Sequence, residues 1–263
     1  MAVHGPSLYL VAFAAALVIS TVASPAGVSG AVLLLPFQVS VLGTPSPAVT
    51  PTNLLYNVVA TPGALYRYWR QGQTGGRLTW VLLAGTVPGV AAGSVVRVEF
   101  LPGPRAFELV IAIVLIPLGT WLAGFVSPDD ATPMLVISTA RIVALSLVVG
   151  AVGGIYGIGG GSILAPILVV AGRSSRDVAP ATLASTFVTS VVGVVTFIAL
   201  SAVHHGSVAP DWSVGIALGA GGLLGAYLGA LAQPHLPDRL IRRVLGLLVT
   251  GIGARYAYLS AKN

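Results

Sequence analysis

The chemistry of this chain is carried by backbone groups more than by ionisable side chains. Between Gly153 and Gly172 it reads GGIYGIGGGSILAPILVVAG, a glycine-rich, proline-containing stretch in an apolar setting. Gly157, Gly159, Gly160 and Gly161 tolerate unwound backbone and add no side chains. Pro166 lacks a backbone donor and disfavours a straight helix. The segment from Tyr156 to Ala171 is therefore expected to be a broken helix, too short to cross a hydrocarbon core of ~30 Å at ~1.5 Å per residue. Non-helical backbone at membrane depth survives only when buried in protein or lining a wet cavity. Free amides at a helix start attract anions, and Ser162 adds a hydroxyl beside them. A competing reading takes Gly153, Gly157 and Gly161 as a small-xxx-small packing stripe. Three consecutive glycines exceed what packing requires and favour the break.

Polar stripes follow two proline-containing segments. TPTNLLYNVVATPG begins at Thr50 and APATLASTFVTS at Ala179. Asn53 with Asn57, and Thr182 with Thr186, are four residues apart and share a helix face. Such groups in hydrocarbon face partners or a cavity. A threonine hydroxyl can instead bond its own helix, whereas an asparagine amide cannot satisfy all its groups that way. Arg141 reads as the only basic residue well inside a span, seven residues past Met134. A role toward an anion and snorkelling to the interface both remain open for it.

Other chemistries lack their residues. The acids Glu99, Glu108, Asp129, Asp130, Asp177, Asp211 and Asp238 fall in expected loops or near helix ends, so no mid-span carboxylate relay is expected. His204 and His205 fall in an expected outer loop, where water would solvate them. There is no Walker A sequence, no dinucleotide fingerprint and no metal-ligand spacing. The chain has no cysteine, which excludes disulfides and thiolate chemistry. An enzyme is not expected, nor a cofactor or a bound metal.

These residues must be held by membrane helices. Of 263 residues 56% are hydrophobic and 8% charged, against roughly 25% charged in soluble domains. The net charge of +6 is scattered over short loops, unlike the clustered surface that binds nucleic acid. Ten hydrophobic elements are expected, making 8–10 spans of an all-α polytopic fold in the lipid bilayer. They are Ser7–Ala23, Ala26–Leu42, Thr52–Trp69, Thr79–Val96, Ala106–Val126, Met134–Gly153, Tyr156–Ala171, Ala181–Val203, Asp211–Leu231 and Leu240–Leu259. Only His4 precedes the first, so it reads as a retained span, not a signal peptide.

The second five elements resemble the first five. Trp80 matches Trp212, Gly89 matches Gly221, Gly93 matches Gly225, Pro36 matches Pro166 and Gly119 matches Gly253. A Leu-Pro pair, Leu101-Pro102 and Leu236-Pro237, precedes each final helix. Residues 1–128 and 129–263 are thus expected to be two repeats, inverted because each holds an odd number of spans. Arg67, Arg70, Arg77, Arg173, Arg176, Arg239, Arg242 and Arg243 fall on one side, with only Arg97, Arg105, Arg255 and Lys262 on the other. The positive-inside rule then puts the first set in the cytoplasm and both termini outside the plasma membrane. The stripes Gly85/Gly89/Gly93 and Gly221/Gly225/Gly229 read as helix-packing contacts, within one chain or between copies, which leaves a homo-oligomer open.

GIGGGSILAPIL followed by ATLASTFVTSVVG resembles the TauE/SafE sulfite exporter family (the toluene sulfonate uptake permeases), whose members are duplicated polytopic proteins of about this size. The resemblance implies movement of small sulfur anions such as sulfite, sulfonates or thiosulfate across the cell membrane. The first half departs from the pattern: it reads SPAGVSGAVLLLP, where only Gly27 and Gly30 match Gly157 and Gly160, with Pro25 and Ser29 shaping a looser break. Two functions follow. One is an anion permease, with the amides of Gly159 to Ser162 as ligands, Asn53, Asn57, Thr182 and Thr186 along the path, and Arg141 as a source of positive potential. The other is a non-transporting scaffold or assembly factor.

Overall fold

In the computed structural model, residues 5–24, 29–70, 72, 76–101, 103–124, 138–170, 173, 175–204, 206–232 and 238–262 are described. Among them there is no strand. The helices are α1 (Pro6–Ala23), α2 (Ala31–Phe37), α3 (Val49–Arg70), α4 (Gly76–Glu99) and α5 (Pro104–Gly124). The second set is α6 (Thr139–Tyr156), α7 (Gly161–Val170), α8 (Ser175–Ser201), α9 (Trp212–Ala232) and α10 (Asp238–Lys262). A π-helical turn, Gln38–Leu42, extends α2. The ten expected hydrophobic elements each meet a helix. Pro25, Gly27, Asp129, Asp130, Met134, His205, Leu236 and Pro237 lie outside the described residues.

Among the described residues five helices are long and apolar enough to cross a membrane: α1, α4, α6, residues 178–201 of α8 and residues 212–229 of α9. Residues 31–42 and 107–121 form shorter apolar helices. The α3 sequence is too polar for this class, because the residues from Val49 to Asn57 are buried in protein and not against lipid. Trp80 near the start of α4 and Trp212 at the start of α9 are exposed, as interfacial aromatics are.

Small residues set the packing, because lipid offers no hydrophobic drive for helices to associate and close van der Waals contact must supply it. A Cβ at Gly85, Gly89 or Gly93 would run into the carbonyls of Val143, Leu147 and Ala151 respectively. The two sets of numbers rise together, so α4 and α6 run parallel with backbones touching. Gly221 and Gly225 of α9 meet the carbonyls of Phe13 and Leu17 of α1 in the same way. Both stripes therefore serve contacts inside one chain. Gly215 and Gly219 of α9 lie on Leu55 and Val59 of α3, again parallel. Gly119 of α5 meets Thr250 of α10 while Gly253 meets Ile116, an antiparallel pair.

These directions constrain the two short helices. Because α1 and α3 both run parallel to α9, the segment between them must carry the chain back across the bundle. Thr86 of α4 pairs with Ser185 of α8 (2.9 Å), and Gly193 of α8 abuts Val90 of α4, so α8 also runs parallel to α4 and α6. The segment holding α7 must make the matching return. Each return is a half-length helix preceded by non-helical backbone.

Two expectations about arginines are corrected. Arg141 was expected deep in a span, but α6 begins only at Thr139, so Arg141 lies in its first turn and is exposed. Its backbone N–H donates to the Ser138 hydroxyl (3.4 Å). Arg97 was expected in an outer loop, but α4 continues to Glu99 and Arg97 is fully buried. His204 is also not merely solvated: its Nε2 lies 2.9 Å from Glu99 Oε1.

The backbone contact at Gly93 gives a direct test. Gly93→Ala should destabilise the purified protein in detergent by about 1–3 kcal/mol, as overpacking does. At Gly251 of α10 no atom lies within 4 Å of an added Cβ. Gly251→Ala should be neutral or stabilising by up to about 1 kcal/mol. Thermal melts of both variants check the pair.

Candidate functional site

The glycine run forms a tight turn between α6 and α7. Helix α6 ends at Tyr156, and Gly157 follows with φ 83°, its N–H donating to Gly153 O (2.8 Å). This left-handed ending is one that only glycine adopts without strain. Gly159 is left-handed as well, at φ 62°. The first ladder bond of α7 runs from Leu164 N–H to Gly160 O (3.3 Å). The amides of Gly161, Ser162 and Ile163 thus precede the hydrogen-bond ladder, as at any helix start.

Space also demands glycine. A Cβ at Gly157 would stand 2.6 Å from Thr50 O, and one at Gly160 would stand 2.9 Å from Thr86 Cγ2. Gly161 lies against Thr182 O and Thr186 Oγ1, and a Cβ at Gly159 would be 3.1 Å from Ser190 Oγ. Thr86 is about 15 Å along α4 at helical rise, which puts the turn well inside the bundle. Packing and unwinding therefore coexist here. Gly157 and Gly159 bend the backbone, while Gly160 and Gly161 let α4 and α8 close on it.

Asn53 joins the two broken segments. Its Nδ2 donates to Ala31 O at the start of α2 (2.9 Å) and to Gly157 O in the turn (3.0 Å). Its Oδ1 accepts from Gln38 Nε2 (3.0 Å). Both amide hydrogens are engaged, so Asn53 positions the site and has no free donor. Tyr156 makes a second bridge, donating from its hydroxyl to Val32 O (3.1 Å). That carbonyl needs a donor because Pro36, four residues on, has no N–H to offer it.

Asn57 is placed differently. Its Oδ1 accepts from Ser29 Oγ (2.7 Å), while its Nδ2 is buried with no partner among the described residues. Gln38 Oε1 and Ser190 Oγ are buried and unpartnered too. An unmet buried polar atom is costly and calls for an explanation. Thr182 bonds its own helix, from Oγ1 to Val178 O (2.9 Å). Thr186 and Ser162 are buried beside the turn. Arg141, at the far end of α6, is about 18 Å from Gly153 at helical rise and does not join this group.

A scan against protein families matches the sulfite exporter TauE/SafE model over residues 12–256. The chain belongs to the TauE/SafE family. It is 26% identical over 266 residues to the "Probable membrane transporter protein YunE" of Bacillus subtilis (strain 168), covering 92% of this chain and 94% of that one. It is also 26% identical over 241 residues to a "Probable membrane transporter protein" of Xylella fastidiosa (strain 9a5c), with 86% of each covered. No solved structure matches. Membership and these relatives support a transporter role for a multi-pass membrane protein.

Sequence reading of this TauE/SafE chain missed three polar residues of the cluster. Ser190 continues the Thr182/Thr186 spacing by another four residues, a signal available in the sequence. Gln38 and Thr86 had no such signal, since only packing brings them to the turn.

Asn53→Ala would leave Gly157 O and Gln38 Nε2 without this partner and strip Ala31 O of the donor it has beyond its own helix. At about 1–3 kcal/mol for each buried group left unmet, the loss should reach on the order of 3 kcal/mol. Amide exchange across residues 157–161 should rise with it. Melting and hydrogen exchange by mass spectrometry check both effects.

Proposed function

We propose that this protein is a secondary transporter that moves small sulfur-containing anions, such as sulfite, sulfonates or thiosulfate, across the cell membrane. The observation that carries the reading is the meeting of two broken segments at Asn53, deep in the bundle, beside unpartnered donors. The amides from Gly159 to Ser162 offer N–H groups, Asn57 Nδ2 and Ser190 Oγ have unmet hydrogens, and no carboxylate is among the residues named in this cluster. Neutral donors held in a low-dielectric interior stabilise a negative charge. Family membership favours sulfur oxyanions as the charge in question. Thr182 and Thr186 would line the path, and Asn53 would hold the two segments in register. Arg141 would act only on approach, as an exposed charge at the rim.

Helix packing supports the inverted-repeat reading of residues 1–128 and 129–263. Exchanging each helix for the one five places along turns α1 on α9 into α6 on α4, and α3 on α9 into α8 on α4. It turns α2 on α3 into α7 on α8, and leaves α3 on α8 and α5 on α10 unchanged. Rocking of two such halves around a central site would alternate access. The arginine-rich loops would face the cytoplasm and both termini the outside.

The test is flux from proteoliposomes loaded in parallel with sulfite, thiosulfate, a short sulfonate, sulfate or chloride, with and without a pH gradient. Saturable release of a sulfur anion is expected. Ser190→Ala removes an unpartnered hydroxyl, so melting should stay within about 0.5 kcal/mol of the parent or rise. The same change should raise the KM for the anion several-fold. No flux above empty vesicles from folded protein, for any anion under either gradient, would favour a non-transporting scaffold.

A further inference from the structure

Among the described residues Arg97 is the largest fully buried side chain, and its charge has no acidic partner there. Its Nε donates to Thr50 Oγ1 (3.2 Å), one Nη to Ser46 Oγ (2.5 Å) and the other to the Leu101 carbonyl. The guanidinium carbon sits 3.9 Å from the centre of the Phe107 ring. All of these partners are neutral. The nearest acid in sequence, Glu99, turns to His204 instead. Among the described residues no carboxylate oxygen lies within 4.0 Å of Arg97.

A buried guanidinium is costly unless a counter-charge meets it, and an ionisable group inside a membrane protein is a functional candidate. Three of its five N–H groups are engaged by these contacts, which leaves one on each Nη. That fork is suited to two oxygens of one oxyanion. Arg97 is also wired to the glycine turn. Thr50, which accepts from Nε, donates from the same hydroxyl to Ile155 O (3.3 Å). The Thr50 carbonyl lies against Gly157.

We propose that Arg97 is a second anion-binding station, a fixed positive charge at the end of α4 that an oxyanion pairs with on its way to or from the glycine turn. The proposal rests on the permease reading and adds a ligand group to it. An arriving anion takes the two N–H groups left over, while the Ser46 hydroxyl and the Leu101 carbonyl, in the connections before α3 and after α4, keep the guanidinium in place. The charge that these neutral groups leave uncompensated is then matched by the substrate itself.

The experiment compares wild type, Arg97→Lys, Arg97→Gln and Ser46→Ala in proteoliposomes, with sulfite and thiosulfate as probes and melting measured on each. Arg97→Gln is expected to raise KM by roughly tenfold or more, as loss of a charge-assisted contact does. Arg97→Lys keeps the charge but not the fork and should fall between. Ser46→Ala removes a neutral partner of Arg97 and should leave KM within about threefold of wild type. An unchanged KM in Arg97→Gln, with saturable flux in wild type, overturns this proposal and leaves the permease reading standing. Absence of flux in wild type overturns both. If Arg97→Gln does not fold, Arg97→Lys decides: a raised KM in folded protein supports the station, and an unchanged KM overturns it.

Discussion

The architecture turns on one side chain amide. Asn53 is buried, and its two amide hydrogens go to backbone carbonyls of two different interrupted segments. In hydrocarbon an unpaired carbonyl has no water to turn to, so non-helical backbone is tolerable only where protein supplies donors. Asn53 supplies one to Gly157 O in the turn and, with its other hydrogen, ties that turn to Ala31 O in the first turn of α2. Its oxygen accepts from Gln38, which ties the π turn after α2 to the same point. The Tyr156–Val32 bond repairs the carbonyl that Pro36 leaves unmet. Without these donors the breaks could not sit side by side.

The framework around this point is made by small residues. The α4–α6 and α9–α1 pairs approach so closely that a Cβ at Gly93 or Gly225 would overlap a facing carbonyl. Such contact replaces the hydrophobic drive that lipid removes. It also frees the interior for polar side chains. The buried set includes Gln38, Asn53, Asn57, Thr86, Ser162, Thr186 and Ser190, a composition that a lipid-facing surface could not carry. Close backbone packing outside and polar groups inside are two halves of one arrangement.

Much of this was legible in the sequence. Apolar run length gave the ten helices to within a few residues at most ends, because hydropathy reflects the solvent each helix meets. The break at Gly157–Gly160 was legible because left-handed backbone and absent side chains both call for glycine, and no apolar residue substitutes. The glycine stripes were legible as packing from their four-residue spacing. The first-half break was harder to read. Its glycines are few, and what holds it is borrowed from α3 and α6.

What the sequence by itself determined is the solvent, the number of helices and where the chain must unwind, since these depend on local composition and backbone freedom. The tertiary structure decided which polar groups converge. It gave Asn53 a positioning task and left Asn57 with unmet hydrogens, though the two share a face and a residue type. It put Arg141 at the exposed start of α6 and enclosed Arg97, reversing the order their positions in the apolar runs suggested. A shift of a few residues at a helix end moves a long arginine between solvent and interior. Only neighbouring helices decide which, because burial is a property of what packs against a residue.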